Sequence, residues 1–189
     1  KKAVLKHKAD IGIAHDGDAD RTLFVDELGN IVDGDMVLAV CSSQLKSERR
    51  LQKDTVVATV MTNTGIEEYL NANGIKLVRS QVGDRFVVEE MIRGGYNLGG
   101  EQSGHIIFFD YNTTGDGLIT ALQVLNLLKK KKKTLAELTA DIQPYPQVLI
   151  NVPVQRKDKI EKIPEIAEAI NEGLKNLHRK GRILVRPSG

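Results

Sequence analysis

Asp16, Asp18 and Asp20 stand at alternate positions, and Arg21 follows them at once. The apolar run Ile11-Gly12-Ile13-Ala14 leads in and reads as the end of a buried strand, which places the acids on the loop leaving it. Side chains two apart in extended backbone point the same way, so the three carboxylates can converge on one point. Three anions so close repel unless a cation sits among them, and an all-oxygen set favours a hard ion, Mg²⁺ or Ca²⁺. An acidic surface turn is the plainer reading, because Asp and Gly suit turns for conformational reasons alone. Three carboxylates in strict alternation after an apolar strand favour the metal. A calcium EF-hand is excluded: Glu27 falls on the twelfth loop position, but Arg21 occupies the sixth, where the sharp turn needs Gly. The flanks also read as strands rather than helices.

Gly99-Gly100-Glu101-Gln102-Ser103-Gly104-His105 is the next most informative segment. Its glycines allow close backbone approach, and the polar residues between them all bond hydroxyls, as a carbohydrate site requires. Glu101 would accept from ring hydroxyls, Ser103 would bond either way, and His105 would orient a polar group. The plainer alternative is a Gly-rich turn with one satisfied histidine. Gly83-Asp84-Arg85 opens a helix after a strand, with Asp84 placed to cap it and Arg85 on the rim where open α/β sheets collect ligands. Thr113-Thr114-Gly115-Asp116-Gly117 has a structural role at a helix start. Arg186-Pro187-Ser188-Gly189 supplies a guanidinium, a hydroxyl and a glycine amide, the elements of a phosphate cradle.

The elements that must position these loops alternate. Strands are expected on both sides of the acidic loop, and a helix over 36–49 with Met36, Val37, Val40, Cys41 and Leu45 as its apolar stripe and Asp35 as its N-cap or first-turn acid. Thr55 to Met61 is apolar without alternation, as in a parallel strand covered on both faces. A helix over 66–73, a strand over 76–79, a helix from Asp84, strands ending at Gly100 and spanning 106–109, and a helix over 116–130 follow. That last helix would turn Leu118, Ala121, Leu122, Leu125 and Leu128 to one face. The pattern predicts an α/β fold with a parallel or mixed sheet and flanking helices. Gln143-Pro144-Tyr145-Pro146 reads as a linker. Beyond it, 148–154 and 183–185 read as strands around a helix whose face is Ile163, Ile166, Ala167, Ile170, Leu174 and Leu177.

A net charge of +2 over 189 residues gives no case for nucleic-acid or membrane binding. The run 129–133 of lysines fits the carbonyl end of a helix dipole. Cys41 stands alone, which excludes an internal disulfide and fits a reducing, cytoplasmic setting.

Taken in order, DGDADR, VGDRF, GGEQSGH, TTGDG and the closing RPSG resemble the α-D-phosphohexomutase family over essentially the whole chain. The resemblance implies four domains around a cleft, of which this chain would hold the end of the second (1–32), the third (33–143) and the start of the fourth (144–189). It implies Mg²⁺ on Asp16, Asp18 and Asp20, with Arg21 beside the reacting centre. Glu101, Ser103 and His105 would read sugar hydroxyls, Asp84 and Arg85 would serve proton transfer or substrate contact, and Arg186, Ser188 and Gly189 would begin a phosphate loop. The implied reaction passes a phosphoryl group from a phosphoserine to a hexosamine phosphate through a bisphosphate, here glucosamine 1,6-bisphosphate. The family's serine loop is not among these residues, so the resemblance implies a fragment inactive without the rest of its parent chain. The GEQSGH and VGDR spellings favour glucosamine phosphates over mannose or glucose phosphates, although Phe86 stands where the family usually has Tyr. A sugar-phosphate binding module without chemistry and a Ca²⁺-stabilised structural domain are the rivals from other classes.

Overall fold

A computed structural model describes residues 1–153, 163–177 and 181–186. The chain divides into two compact units, Lys1–Tyr145 and Pro146–Gly189. The first begins with a helix the sequence reading does not contain, α1 (Lys2–His7), whose six residues carry neither a side-chain cap nor an acidic first turn. It is held by packing: Val4 lies against Gly12, where a Cβ would approach it to 2.6 Å. Strands β1 (Ile11–His15), β2 (Thr22–Asp26) and β3 (Ile31–Val32) form an antiparallel meander. Its register pairs His15 with Thr22, so residues 16–21 are the loop closing that end of the ladder.

The remaining elements of this unit are α2 (Gly34–Ser47), a 3-10 turn (Gln52–Asp54), β4 (Thr55–Thr59), α3 (Thr64–Ala72), β5 (Lys76–Ser80), α4 (Asp84–Gly94), β6 (Leu98–Gly100), β7 (Ile106–Phe108), α5 (Gly117–Lys131) and α6 (Leu135–Thr139). The strands join in the order β5-β4-β6-β7, parallel except for β7. All five residues of β4 are buried because helices cover both faces of the sheet. Val56 and Ala58 enter the main core with Leu38, Ile66, Leu70 and Val124, whereas Val57 packs with Val87, Met91 and Ile107. This is the α/β fold with a mixed sheet and flanking helices.

Of the two places expected for Asp35, cap or first turn of α2, it takes the first turn, and two other local expectations are corrected. The cap of α2 is Asp33, whose carboxylate accepts the Met36 N–H at 3.1 Å. Asp35 is buried instead, accepting the Asn63 N–H at 2.8 Å, and burial pushes its carboxyl up to about 6. The cap of α4 is Gly83 rather than Asp84, at φ +127°, a conformation that suits glycine. Helix α5 is rotated from its expected face: it buries Gly117, Thr120, Ala121, Val124 and Leu127, leaving Leu118 and Leu122 61% and 64% exposed. Its last turn carries Lys129, Lys130 and Lys131, and Lys130 pairs with Glu48 at 2.9 Å.

Asn63 caps α3 and binds the end of this unit, accepting the Tyr145 N–H at 2.9 Å and donating to the Tyr145 carbonyl at 2.8 Å. In the second unit, α7 (Pro164–Asn176) starts with proline in its first turn and half-buries Ile166, Ile170 and Leu174. The strands expected over 148–154 and 183–185 are not formed at 148–153 or 182–186, and Val154 lies outside the described residues. Val148 and Ile150 are 81% and 75% exposed. Strand character is packing against neighbours more than backbone preference, and among the described residues these runs have no ladder partner.

Candidate active site

Strand β1 delivers the chain into the acidic loop, and the three carboxylates do converge: Asp16, Asp18 and Asp20 each offer an oxygen within 4.8 Å of the others. The means differ from the expected alternation of extended backbone. The loop curls, with the Ala19 N–H donating to the Asp16 carbonyl at 3.3 Å and Ala19 itself left-handed at φ +58°. The Gly117 N–H, at the start of α5, holds that turn by donating to the Ala19 carbonyl at 2.9 Å. A Cβ on Gly117 would meet that same oxygen at 2.7 Å, so glycine is required for the approach.

Arg21 lies across the cluster, its Nε 3.8 Å from both Asp16 Oδ2 and Asp20 Oδ1. Its backbone N–H donates to Asp16 Oδ1 at 3.3 Å. One half-exposed guanidinium balances only part of three carboxylates. Asp20 Oδ1 is buried and, apart from that 3.8 Å ion-pair approach of Arg21, has no hydrogen-bond donor, so it keeps a free lone pair for a ligated cation. The donor set, its spacing and this orphaned oxygen fit a hard divalent ion.

The loop 101–105 is seated against the same region. Its Gly104 carbonyl accepts the Thr22 N–H at 3.1 Å, directly after the acidic loop. On its other side the Gln102 carbonyl accepts the Gly34 N–H at 3.0 Å, at the first turn of α2. Gly104 has φ +96°, and a Cβ there would run into the Thr22 carbonyl. Glu101 accepts the Gly83 N–H at 3.0 Å on Oε1 and the Ser103 hydroxyl at 3.4 Å on Oε2. Both side chains keep solvent access, which a hydroxyl-reading pair needs.

His105 is placed differently from the expectation. It is 4% exposed, and both ring nitrogens are engaged inside the protein. Nδ1 lies 3.0 Å from Asp20 Oδ2, and Nε2 accepts the Gly115 N–H at 3.1 Å. It lies beneath the loop, between the turn at 113–117 and the acidic cluster. Gly115 and Gly117, read from sequence as a helix start only, therefore support the site; the signal available was the Gly-Asp-Gly spacing around the cap Asp116.

Asp84 and Arg85 are exposed on the rim. Asp84 accepts its neighbour's N–H at 2.7 Å, and Arg85 pairs with Glu89 at 2.6 Å, one helical turn on. Arg186 is exposed in the second unit, while Ser188 and Gly189 lie outside the described residues.

The family model described as phosphoglucomutase/phosphomannomutase, alpha/beta/alpha domain III, matches residues 33–145, and its C-terminal domain matches 149–189. The chain is 54% identical to phosphoglucosamine mutase of Geobacter metallireducens over 188 residues and 55% identical to that of Bacillus subtilis over 188. These alignments take in 100% and 99% of this chain and 42% of each relative, so the chain spans under half the length of the curated relatives it matches. Among solved structures, a phosphoglucomutase/phosphomannomutase family protein of Burkholderia thailandensis matches with TM-score 0.66 and 25% identity over 73% of this chain and 30% of its own. N-acetylphosphoglucosamine mutase of Aspergillus fumigatus, in complex with GlcNAc-6P and magnesium, shares the fold with TM-score 0.77 at 23% identity over 94% of this chain and 46% of its own. With a domain model covering more than half of the sequence and an α/β architecture to match, the chain belongs to the phosphoglucomutase/phosphomannomutase family.

Proposed function

We propose that this chain forms the cation site and the sugar-reading loop of a phosphoglucosamine mutase, interconverting glucosamine 6-phosphate and glucosamine 1-phosphate through glucosamine 1,6-bisphosphate. One observation carries the reading: the three converging carboxylates and the loop bearing Glu101 and Ser103 meet at the start of β2, where the Thr22 N–H donates to the Gly104 carbonyl. A cation and a sugar hydroxyl would thus be held by parts of one rigid assembly.

Asp16, Asp18 and Asp20 would hold Mg²⁺, which supplies charge neutralisation to a phosphoryl group in transfer. Arg21 provides a fixed positive charge on the same side. Glu101 accepts from hydroxyls of the sugar, and Ser103 bonds either to the sugar or to Glu101. Asp84 and Arg85 contact substrate from the rim, and Arg186, Ser188 and Gly189 contribute to a phosphate cradle. The phosphoserine comes from outside these residues, so the reaction belongs to the longer chain that the relatives' length implies. Residues 1–32, 33–143 and 144–189 would be the end of its second domain, its third and the start of its fourth. Among the described residues no helix is long and apolar enough to cross a membrane. The single cysteine, Cys41, suits a reducing compartment, and the cytoplasm is the location proposed for the enzyme.

A coupled mutase assay with Mg²⁺ and a trace of sugar bisphosphate tests this. The full-length parent should turn over glucosamine 1-phosphate in preference to glucose 1-phosphate, and this chain neither. A preference for glucose would move the assignment to a sister enzyme. Hexose-phosphate binding without turnover by the parent would leave a binding module.

A further inference from the structure

Helix α4 begins on a residue that does little for the helix. The caps of α2, α5 and α6 are Asp33, Asp116 and Thr134, at φ −84°, −147° and −75°, and each accepts a helix N–H through its side chain. Gly83 caps α4 with no side chain to offer, and it stands at φ +127° and ψ +135°. Its carbonyl is nonetheless tied to the helix, accepting the Phe86 and Val87 N–H groups at 3.0 and 3.3 Å. With that carbonyl fixed, the direction of the Gly83 N–H is set by φ, the rotation about the bond between N and Cα. The positive φ turns the N–H onto Glu101, whose Oε1 accepts it at 3.0 Å from 18 residues away in the chain. The other oxygen, Oε2, is met from within its own loop, by the Ser103 hydroxyl at 3.4 Å. The shorter contact to the carboxylate therefore comes from the turn between β5 and α4.

We propose that Gly83 is a positioning residue for Glu101: its positive-φ backbone aims an amide at Oε1 and holds the carboxylate in the orientation that meets the sugar. This rests on the reading of Glu101 as a hydroxyl acceptor. A carboxylate oxygen has lone pairs to spare, so one donor on each oxygen leaves each able to accept from a ligand. Without the Gly83 amide, the flexible Glu101 side chain would have to be ordered by the sugar as it binds, which lowers affinity. The same bond keeps the turn bearing Asp84 and Arg85 in register with the loop 101–105. The absence of a side-chain cap on α4 and the unusual φ of Gly83 then have one cause.

A double-mutant cycle in the full-length parent tests this, read as KM for glucosamine 1-phosphate. Gly83→Ala should raise KM about tenfold with kcat within about threefold, and Glu101→Ala should raise KM at least as much. The double variant should be no worse than Glu101→Ala, because Gly83 acts through that carboxylate. Gly95→Ala, at the other end of α4 and also at positive φ (+67°), is the control: it should lower the urea midpoint and leave KM unchanged. Additive losses in the cycle, an unchanged KM in Gly83→Ala, or an equal rise in Gly95→Ala would each overturn the proposal and leave Glu101 as the hydroxyl reader. An unchanged KM in Glu101→Ala would overturn the reading of Glu101, and this proposal with it. One measurement does not require Gly83→Ala to fold. In Glu101→Ala of this chain, the Gly83 amide proton should move upfield and exchange faster with solvent, while that of Gly95 stays in place. A Gly83 amide that does not respond would overturn the proposal.

Discussion

The junction of loops 16–21 and 101–105 and the rim at 83–85 use the same kinds of residue and are built in opposite ways. At the junction the carboxylates, the histidine and the backbone are cross-linked across distant parts of the chain: Asp20 to His105, Ala19 to Gly117, Thr22 to Gly104. At the rim each charge is met by a near neighbour, Asp84 by the next N–H and Arg85 by Glu89 four residues on. Pairing across the fold fixes geometry before a ligand arrives, whereas an exposed pair within one helix contributes little and is easily exchanged for a ligand. The difference assigns the fixed contacts to the junction and the adjustable ones to the rim.

The most damaging test of that contrast is Gly104→Ala. Left-handed backbone and overlap with the Thr22 carbonyl act together there, and the cost should be about 3 kcal/mol in urea unfolding. Gly17→Ala, in the same acidic loop but with nothing within 4 Å, should leave the midpoint where it is. Next in size is the pH response of Asp35. Its folded carboxyl titrates near 6, above the ordinary carboxylate value, so the folded state holds the proton more tightly. Stability should therefore fall as pH rises from about 4 to about 6, by about 2–3 kcal/mol from this group. The stability difference between wild type and Asp35→Asn, measured by urea unfolding at both ends of that window, should change by that amount. Asp18→Asn should weaken Mn²⁺ uptake at least about tenfold with the fold intact, which calorimetry of binding and of unfolding would separate. Smallest of all, Arg85→Ala should not move the urea midpoint of this chain, yet should lower kcat/KM in the full-length enzyme. A large loss of stability from that substitution would erase the distinction between rim and junction.

Much of this was legible in the sequence because it depends on local pattern. The uniform apolar character of Thr55 to Thr59 announces a strand covered on both sides, and the acidic alternation announces converging carboxylates. What was not legible depends on partners. Helix α5 is apolar almost all round, so a 3.6-residue period fits Leu118-Leu122-Leu125 as well as the face carrying Gly117, Ala121 and Val124. The small residues are inside because the acidic loop and the sheet approach closely there. The inward turn of His105 depends on Asp20 and Gly115, neither of which is its neighbour in the chain. The runs at 148–153 and 182–186 have strand composition, but composition does not supply the neighbour that makes a strand.

Helix α5 begins inside the turn of the acidic loop, with the first of its amides bound to Ala19 between two of the carboxylates. The positive end of a helix dipole thus faces a cluster of negative charge, and backbone hydrogen bonds tie the loop to the helix start. On the proposed reading a cation would enter a loop whose shape these backbone bonds already define, unlike the ion of a zinc finger, which is itself the reason the chain folds. Loading and folding are separate events in such a design. On that reading chelators should strip the ion reversibly from folded protein, and urea unfolding curves with and without chelator should both keep a cooperative transition.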